Sequence, residues 1–526
     1  MTTTPSTAAD HFVNALKTRG VTWVATLCGH GLEPLYFAAT KVGLRLVDTR
    51  NEQTASYMAE AYGRLTRRAG VCAVSSGVAH INALTGLANA WFDSSPMLLV
   101  TGEGAVRTAG LGHFQDMDHT GLARPLARYA RRLDHPARTL EILDAAFHAA
   151  EGPPPGPAQI TFPLDVQNTP IEEGELVKPG PPTPWRPAET DPEEIARRLS
   201  QASQPLIVAG SGLFYAGASE AMLHFAERFS IPVAVPIWDR GPVNRVSDTF
   251  VGVLGAATGG PRLLADADCI LLAGAAVDYR IGFLQPDAVR PEAALFRLTH
   301  GFRELLALSE RRGLRAFTSW LAEARRRRVA FRQAIEDSAA AQARAGTHAV
   351  HVLSALRRVM TEDAVLLVDG GAIGQWFHQL LCDRYPEHWL TCGRSGVVGW
   401  GIGGAMAARL AFPDRPVILL SGDGAFTFTV ADLESAVRQR LPFVAVVADD
   451  QAWGITKAGH ERQFGQPIAS TLGPIALDRL AEALGARGLR LERAEQIAPA
   501  LEEALGAREV TVLHVPVVGG LPAGSA

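Results

Sequence analysis

Cysteine is scarce in this chain: five residues in 526, at positions 28, 72, 269, 382 and 392, with no C-x-x-C pair among them. So odd and scattered a set argues against a disulfide framework and a structural zinc site, and fits a reducing compartment. An excess of one sign of charge is lacking too. The formal net charge is −4 and no basic face stands out, so nucleic acid is not an expected partner. Even the sharpest cluster, Arg325 to Arg328 in "WLAEARRRRVAFRQAIED", reads as the solvated face of a helix. No run of about 20 apolar residues is present to span a membrane, and "MTTTPSTAADHF" has no basic-then-apolar leader. The expectation is a cytoplasmic protein without a membrane partner. Also missing is a G-x-G-x-x-G after an early strand with an acid about 20 residues on, which argues against an NAD-linked dehydrogenase.

What is present is length and regular alternation. A chain of 526 residues exceeds a single core and suggests about three domains. Two composition breaks divide it: the proline-rich Asn168 to Asp191, read as an extended linker, and the small, polar Ser338 to His348, read as a second. The expected domains are residues 1–170, 185–335 and 348–526. Each alternates strand-like and helix-like segments, so the expected fold class is α/β, with three parallel-sheet domains.

The stretch "SGDGAFTFTVADLESAVRQRLPFVAVVADDQAWG", residues 421 to 454, carries the chemistry. Pro416 to Leu420 and Phe443 to Ala448 are apolar, β-branched runs without polar alternation, as in strands buried on both faces. Thr429 to Arg440 has the spacing of one amphipathic helix, ended by Leu441-Pro442. Strand, helix, strand with a right-handed crossover makes the strands parallel, and both acidic sites then fall at their carboxyl ends. Asp423 and Asp450 should therefore converge. Two carboxylates in a partly dry cleft repel unless they share a cation. Oxygen ligands beside a glycine turn and a helix start suggest magnesium holding a phosphate group, with Gly422 and Gly424 allowing close backbone approach.

This stretch resembles the diphosphate-binding motif of thiamine-diphosphate (ThDP) enzymes: Gly-Asp-Gly, a spacer of the length found here from Ala425 to Ala448, then Asn-Asn. The resemblance implies ThDP and Mg²⁺ as cofactors. It implies Asp423, Asp450 and the carbonyl of Ala452 as metal ligands, and Gly422, Gly424 and Ala425 as cofactor contacts. The chain departs from the motif in having Asp449-Asp450 where Asn-Asn is usual, which adds negative charge beside a diphosphate.

In the first domain, Leu44 to Val47 reads as a strand leading into a helix with Ala55, Met58, Ala59 and Tyr62 on one face. Glu52 stands at that helix's start, where the dipole alone favours an acid. "DTRNEQTASYMAEAYGRLT" is similar to the stretch that places the activating glutamate of the same family. By that resemblance Glu52 bonds N1′ of the aminopyrimidine ring from an apolar pocket and favours the tautomer whose amino group can remove the thiazolium proton. "SSGVAHINALTGLANAWFDSSPMLLVTGE" resembles the next unit, with Asn82 as a cofactor contact. There His80 is an unusual ionisable group, either catalytic or packed. "GHFQDMDHTGLARPLARY" resembles the loop with an active-site glutamine, here Gln115, with His113 two residues earlier. "ATLCGHGLEPLYFAA" places His30 where benzaldehyde-lyase-like members have a substrate-facing histidine.

In the third domain, "TCGRSGVVGWGIGGAMAARLAF" is similar to the segment that bends the cofactor, with Val398 as the wedge and the Gly396 carbonyl as acceptor for the 4′-amino group. "VDGGAIGQW" resembles the start of the diphosphate cradle, with Gly371 and Ala372 nearest the phosphates and Gly374 leaving room for substrate. In the middle domain Asp278 and Arg280 match a flavin-contacting region of acetolactate synthases, but "LFRLTHGFREL" replaces the Asp-rich stretch that follows, so FAD is not the expected cofactor. The resemblance covers nearly the whole chain. It implies an acetolactate synthase-like ThDP carboligase or lyase, a transferase or lyase acting at a C–C bond next to a carbonyl. Its small-molecule substrates would be a 2-oxo acid or 2-hydroxyketone donor and an aldehyde or similar acceptor. The alternatives are a simple 2-oxo-acid decarboxylase, disfavoured by the missing His-His pair, and a catalytically silent ThDP-fold subunit, disfavoured by Glu52. It further implies a homodimer or homotetramer with active sites between subunits.

Overall fold

The computed structural model describes residues 6–180, 188–255 and 262–522. The first sheet is built from β1 (Trp23–Leu27), β2 (Arg45–Asp48), β3 (Gly70–Val74), β4 (Met97–Glu103), β5 (Tyr129–Arg132) and β6 (Pro157–Pro163), in the order β2-β1-β3-β4-β6-β5. The second holds β7 (Pro205–Ala209), β8 (Val233–Pro236), β9 (Phe250–Leu254), β10 (Cys269–Ala273) and β11 (Ala294–Arg297), in the order β11-β10-β7-β8-β9. The third comprises β12 (Val365–Asp369), β13 (Trp389–Thr391), β14 (Val417–Gly422), β15 (Val444–Asp449), β16 (Arg487–Arg490) and β17 (Thr511–Pro516), in the order β13-β12-β14-β15-β17-β16. Every ladder is parallel, as in β14 beside β15 with Gly422 opposite Ala448. The α/β class with three parallel sheets is therefore the observed one. Central strands such as β3, β7 and β12 are buried at every residue, because helices cover both faces of a parallel sheet.

Each sheet has a winding reversal at its centre: between β1 and β3, between β7 and β10, and between β12 and β14; the first and third also fold back once at one edge, where β6 and β17 insert inside β5 and β16. Loops leaving the carboxyl ends of such strand pairs diverge and open a crevice. The chain thus builds three crevices before any side chain is considered.

Several local expectations change in the folded chain. The helix read over Thr429 to Arg440 is shorter, Asp432–Arg438, and a separate short helix that was not expected, Asp423–Phe428, precedes it. Thr429 leaves helical geometry (φ −125°, ψ 24°), and its hydroxyl donates to the Gly399 carbonyl at 2.8 Å. The helix Glu52–Thr66 is buried on nearly every side rather than one, from Thr54 to Ala61 without a break. It lies between the helix Val78–Asp93 of its own sheet and the helix Gly401–Ala411 of the third. A Cβ on Gly403 would come within 2.9 Å of the Thr54 carbonyl oxygen, so glycine sets that close approach. Ser338–Gln342 is not linker but the end of a long helix, Thr318–Gln342. Of the arginine run, Arg325 and Arg326 are exposed, whereas Arg327 bonds Glu323 and Asp266 and Arg328 reaches the Phe250 carbonyl. Part of the proline-rich stretch, residues 181–187, lies outside the described residues. Among those described, no helix is long and apolar enough to cross a membrane, and all five cysteines are free.

Candidate active site

The crevice between β12 and β14 encloses a cavity of about 310 Å³. Gly371, Ala372, Gly396, Val398, Gly422, Asp423, Gly424, Ala425, Asp450 and Ala452 all line it, gathered from the loops after β12, β13, β14 and β15. Gly370 and Gly371 turn off β12 with φ of +64° and +72°, in the left-handed region that glycine adopts freely. A Cβ on Gly371 would lie 3.5 Å from the Gly422 Cα, and one on Gly422 would lie 3.6 Å from the Gly371 Cα. The gap between the two turns is one that side chains would fill, which suits a phosphate against bare backbone.

Asp423 heads its short helix and is 7% exposed. Burial, then the neighbouring Asp450 and Asp449, pushes its carboxyl up to about 7. Burial likewise raises Asp450. Among the described residues no group of three or more His, Cys, Asp or Glu converges as a metal site. Two carboxylates and a backbone carbonyl nevertheless suit magnesium, which keeps several waters and takes its remaining oxygens from phosphates. The donor set and the bare cradle together fit a magnesium diphosphate.

The segment bearing Gly396 and Val398 is fixed from beneath. The Gly399 and Gly401 N–H groups donate to the two Asp369 carboxylate oxygens at 3.1 and 2.8 Å. Asp369 is fully buried; burial pushes it up to about 7, and those two bonds oppose the rise. From the other side, Arg64 donates to the Thr391 carbonyl at 2.8 Å and the Arg394 N–H donates to Asp93 at 2.8 Å.

The remaining sequence-derived residues lie elsewhere in the chain. Glu52, Asn82, His30 and Gln115 do not line this cavity; they stand at the carboxyl edge of the first sheet. Asn51 caps the Glu52 helix by accepting from the Gln53 N–H at 2.8 Å. Asn82 Nδ2 donates to Glu52 Oε2 at 3.0 Å. At the β1/β3 reversal, the Ser75 hydroxyl donates to the His30 carbonyl at 2.8 Å and the Ser76 hydroxyl donates to Gln115 Oε1 at 2.6 Å. The Phe114 ring stands edge-on to His30, with centroids 5.6 Å apart. His113 bonds the Phe114 carbonyl at 2.9 Å, inside its own loop.

His80 resolves as a packed residue. It is fully buried, its Nδ1 lies 2.8 Å from the Thr101 hydroxyl, and it meets His119 edge-on. Burial, then the neighbouring His119, pushes it down to about 3, so it is neutral at physiological pH. His119 accepts from the Gly77 N–H at 2.8 Å and thereby holds the turn into the Asn82 helix.

Sequence reading missed the walls of the cavity. Trp453 sits over Gly424, where a Cβ would meet its ring at 2.7 Å. Trp376 lines the cavity and donates from Nε1 to the Gly520 carbonyl at 3.0 Å, tying Val517–Gly520 across one side. Trp238 enters from the middle sheet. The tail and Trp238 carry no local signal, because each acts across a distance in sequence that only the fold closes. A larger cavity, about 580 Å³, lies at the β7/β10 reversal, lined by Gly212, Gly274, Arg67, Arg394 and His300. Asp278 and Arg280 do not line it. Arg280 is enclosed, bonding Asp278 and the Ile237 carbonyl, with Asp239 at 3.3 Å.

Family models match three parts of the chain. Residues 6–122 match the thiamine pyrophosphate enzyme N-terminal TPP binding domain, 192–300 its central domain, and 369–515 its C-terminal TPP binding domain. A probable acetolactate synthase of Mycobacterium bovis is 29% identical over 521 residues, covering 95% of this chain and 94% of the relative. A 2-hydroxyacyl-CoA lyase 2 of Homo sapiens is 28% identical over 558 residues, 94% of this chain and 87% of that one. The large subunit of acetolactate synthase isozyme 2 from Escherichia coli is 26% identical over 538 residues, 97% of this chain and 95% of that one.

Proposed function

This chain belongs to the thiamine pyrophosphate enzyme family, and on that premise we propose an acetolactate synthase-like carboligase or lyase that uses magnesium and a 2-oxo acid or 2-hydroxyketone donor. The observation that carries the reading is the gathering of the Gly371, Gly422, Asp423, Asp450 and Val398 loops around one cavity whose bare backbone and paired carboxylates suit a magnesium diphosphate. Thiamine diphosphate, when bound, supplies a nucleophilic carbon and an electron sink beside the substrate carbonyl. The chain's own residues do the rest. Gly371, Ala372, Gly422, Gly424 and Ala425 would receive the diphosphate, with Asp423, Asp450 and the Ala452 carbonyl on the metal. Val398 and the Gly396 carbonyl would orient the rings, on a loop held by Asp369. Asn82 occupies Glu52 Oε2, which leaves Oε1 to hold the proton at N1′ and shift the ring towards its basic tautomer. Gln115, its Oε1 taken by Ser76, has its amide N–H groups to offer a substrate oxygen, and His30 beside it can hold a proton for the acceptor.

Among the described residues, Glu52 does not line the cavity that holds Asp423 and Asp450, which supports a homodimer or a higher assembly in which one subunit's first domain faces another's third. The test is carbon dioxide release from purified protein supplied with ThDP and magnesium, across a panel of 2-oxo acids. Release from one acid, with a coupled product, is the expected result. ThDP binding without release from any acid would replace the 2-oxo acid donor by a 2-hydroxy compound cleaved in the lyase direction. A protein that binds no ThDP would overturn the reading.

A further inference from the structure

Asp449 stands where the resembling motif has asparagine, and its extra charge needs an account. In the folded chain its carboxylate turns away from the cavity. Oδ1 accepts from the Gln451 N–H at 3.1 Å, and Oδ2 lies 2.8 Å from His514 Nε2. His514 sits on β17, flanked by β15 on one side and β16 on the other, and is fully buried. Its second nitrogen, Nδ1, lies 3.2 Å from Asp478 Oδ1, in the first turn of the helix Leu477–Ala483.

A neutral imidazole has one N–H and one lone pair, so it can donate to only one of two flanking carboxylates and must present its lone pair to the other. We propose that His514 is held as an imidazolium, donating to Asp449 and Asp478 at once, and that this buried cation is the charge compensation that lets the chain carry aspartate at position 449. The charged groups facing the ring are Asp449 from β15, Asp478 from the helix and Arg490 from β16. Burial and Arg490 oppose protonation; the two carboxylates outweigh them, and His514 lies above its ordinary value. Asp478, despite burial, lies below its ordinary value through its bond with His514, as a carboxylate paired with a cation should. Arg490 itself leans outward to Glu492 at 2.6 Å.

The pairing bears on the cavity because Asp449 precedes Asp450 and its charge is felt by both Asp450 and Asp423. With His514 protonated, the carboxyl end of β15 presents the cavity with one uncompensated charge in place of two. His514 is therefore a positioning residue, acting on the cofactor only through Asp449. This consequence rests on the cofactor reading above; the protonation state does not.

Two measurements separate them. In ¹⁵N-histidine-labelled full-length protein without cofactor, assigned by loss of the signal in His514→Gln, both His514 nitrogens should still be protonated at a pH just above the ordinary histidine pKa of about 6.5. The apparent pKa should fall in Asp449→Asn. A singly protonated ring at that pH, or no fall in Asp449→Asn, overturns the proposal. Calorimetric titration with ThDP and magnesium should then show affinity weakened roughly tenfold in His514→Gln, as expected for one uncovered charge in a partly buried site. Affinity should recover to within about threefold of wild type in His514→Gln/Asp449→Asn, where neither charge remains. A double variant as weak as the single one would make His514 a packing residue only. Wild-type protein that binds no ThDP would sink the function proposed above while leaving the spectroscopic result to decide the imidazolium.

Discussion

Glu52, the proposed proton holder, is positioned by its neighbours. Its helix starts at that residue, Asn51 caps it, and Asn82 fixes one carboxylate oxygen at 3.0 Å. Glu52→Gln keeps the shape and loses the proton-holding oxygen. We expect kcat to fall by about 10²-fold or more, while ThDP affinity, read by calorimetry, changes by less than about threefold. Full activity in that variant would remove the proton-holding role. Asp450 is the complementary case. Asp450→Ala should weaken magnesium-dependent ThDP binding by roughly 10- to 100-fold, and unchanged affinity would mean that the metal sits elsewhere.

Among elements, the segment from Thr391 to Gly401 is held from two sides. It is gripped by Asp369 from below and by Arg64 and Asp93 from the first domain. Asp369 gives this grip a pH signature. Its folded value of about 7 lies above its ordinary 3.8, with burial as the leading cause. A carboxyl raised on folding contributes stability that is fully present below the unfolded value and lost as pH rises through the folded one. The cofactor-free protein should therefore lose stability through this group between about pH 4 and pH 7, by at most about 4 kcal/mol. In Asp369→Asn that part of the slope should vanish in thermal melts run across the range, and an unchanged slope would assign it to other groups. The Glu52 helix is the other informative element. Of its expected apolar face, Ala55, Met58 and Ala59 are buried and Tyr62 is partly so, but the helix is enclosed on nearly all sides because a second domain packs on it.

For the whole molecule, the decisive feature is that the two halves of the proposed site occupy different places in one chain. If subunits complete each other's sites, co-expressed Glu52→Gln and Asp450→Ala chains will form mixed dimers with one doubly damaged site and one intact site. We expect about a quarter of wild-type turnover from random pairing, where each variant alone has almost none. No recovery in purified mixed dimers would place both residues in a site within a single chain. The same assembly predicts loss of activity on dilution below the dimer's dissociation constant, recoverable on concentration.

The sequence by itself determined the parts whose physics is local. Unalternating apolar runs meant parallel sheets covered on both sides, and three such sheets are there. Glycine-acid turns at strand ends put Gly422, Asp423 and Asp450 on one sheet edge, because strand direction alone decides which ends meet; Gly371 was placed there by resemblance. Only the tertiary structure decided what depends on partners distant in the chain. Thr429 stands outside the helix read to begin at it, its hydroxyl held by the Gly399 carbonyl. His80 is packed because Thr101 and His119 enclose it. Asp449 faces His514 and not the cavity because β17 lies beside β15. A side chain's role in these cases is set by which groups surround it, and no spacing along the chain specifies those groups.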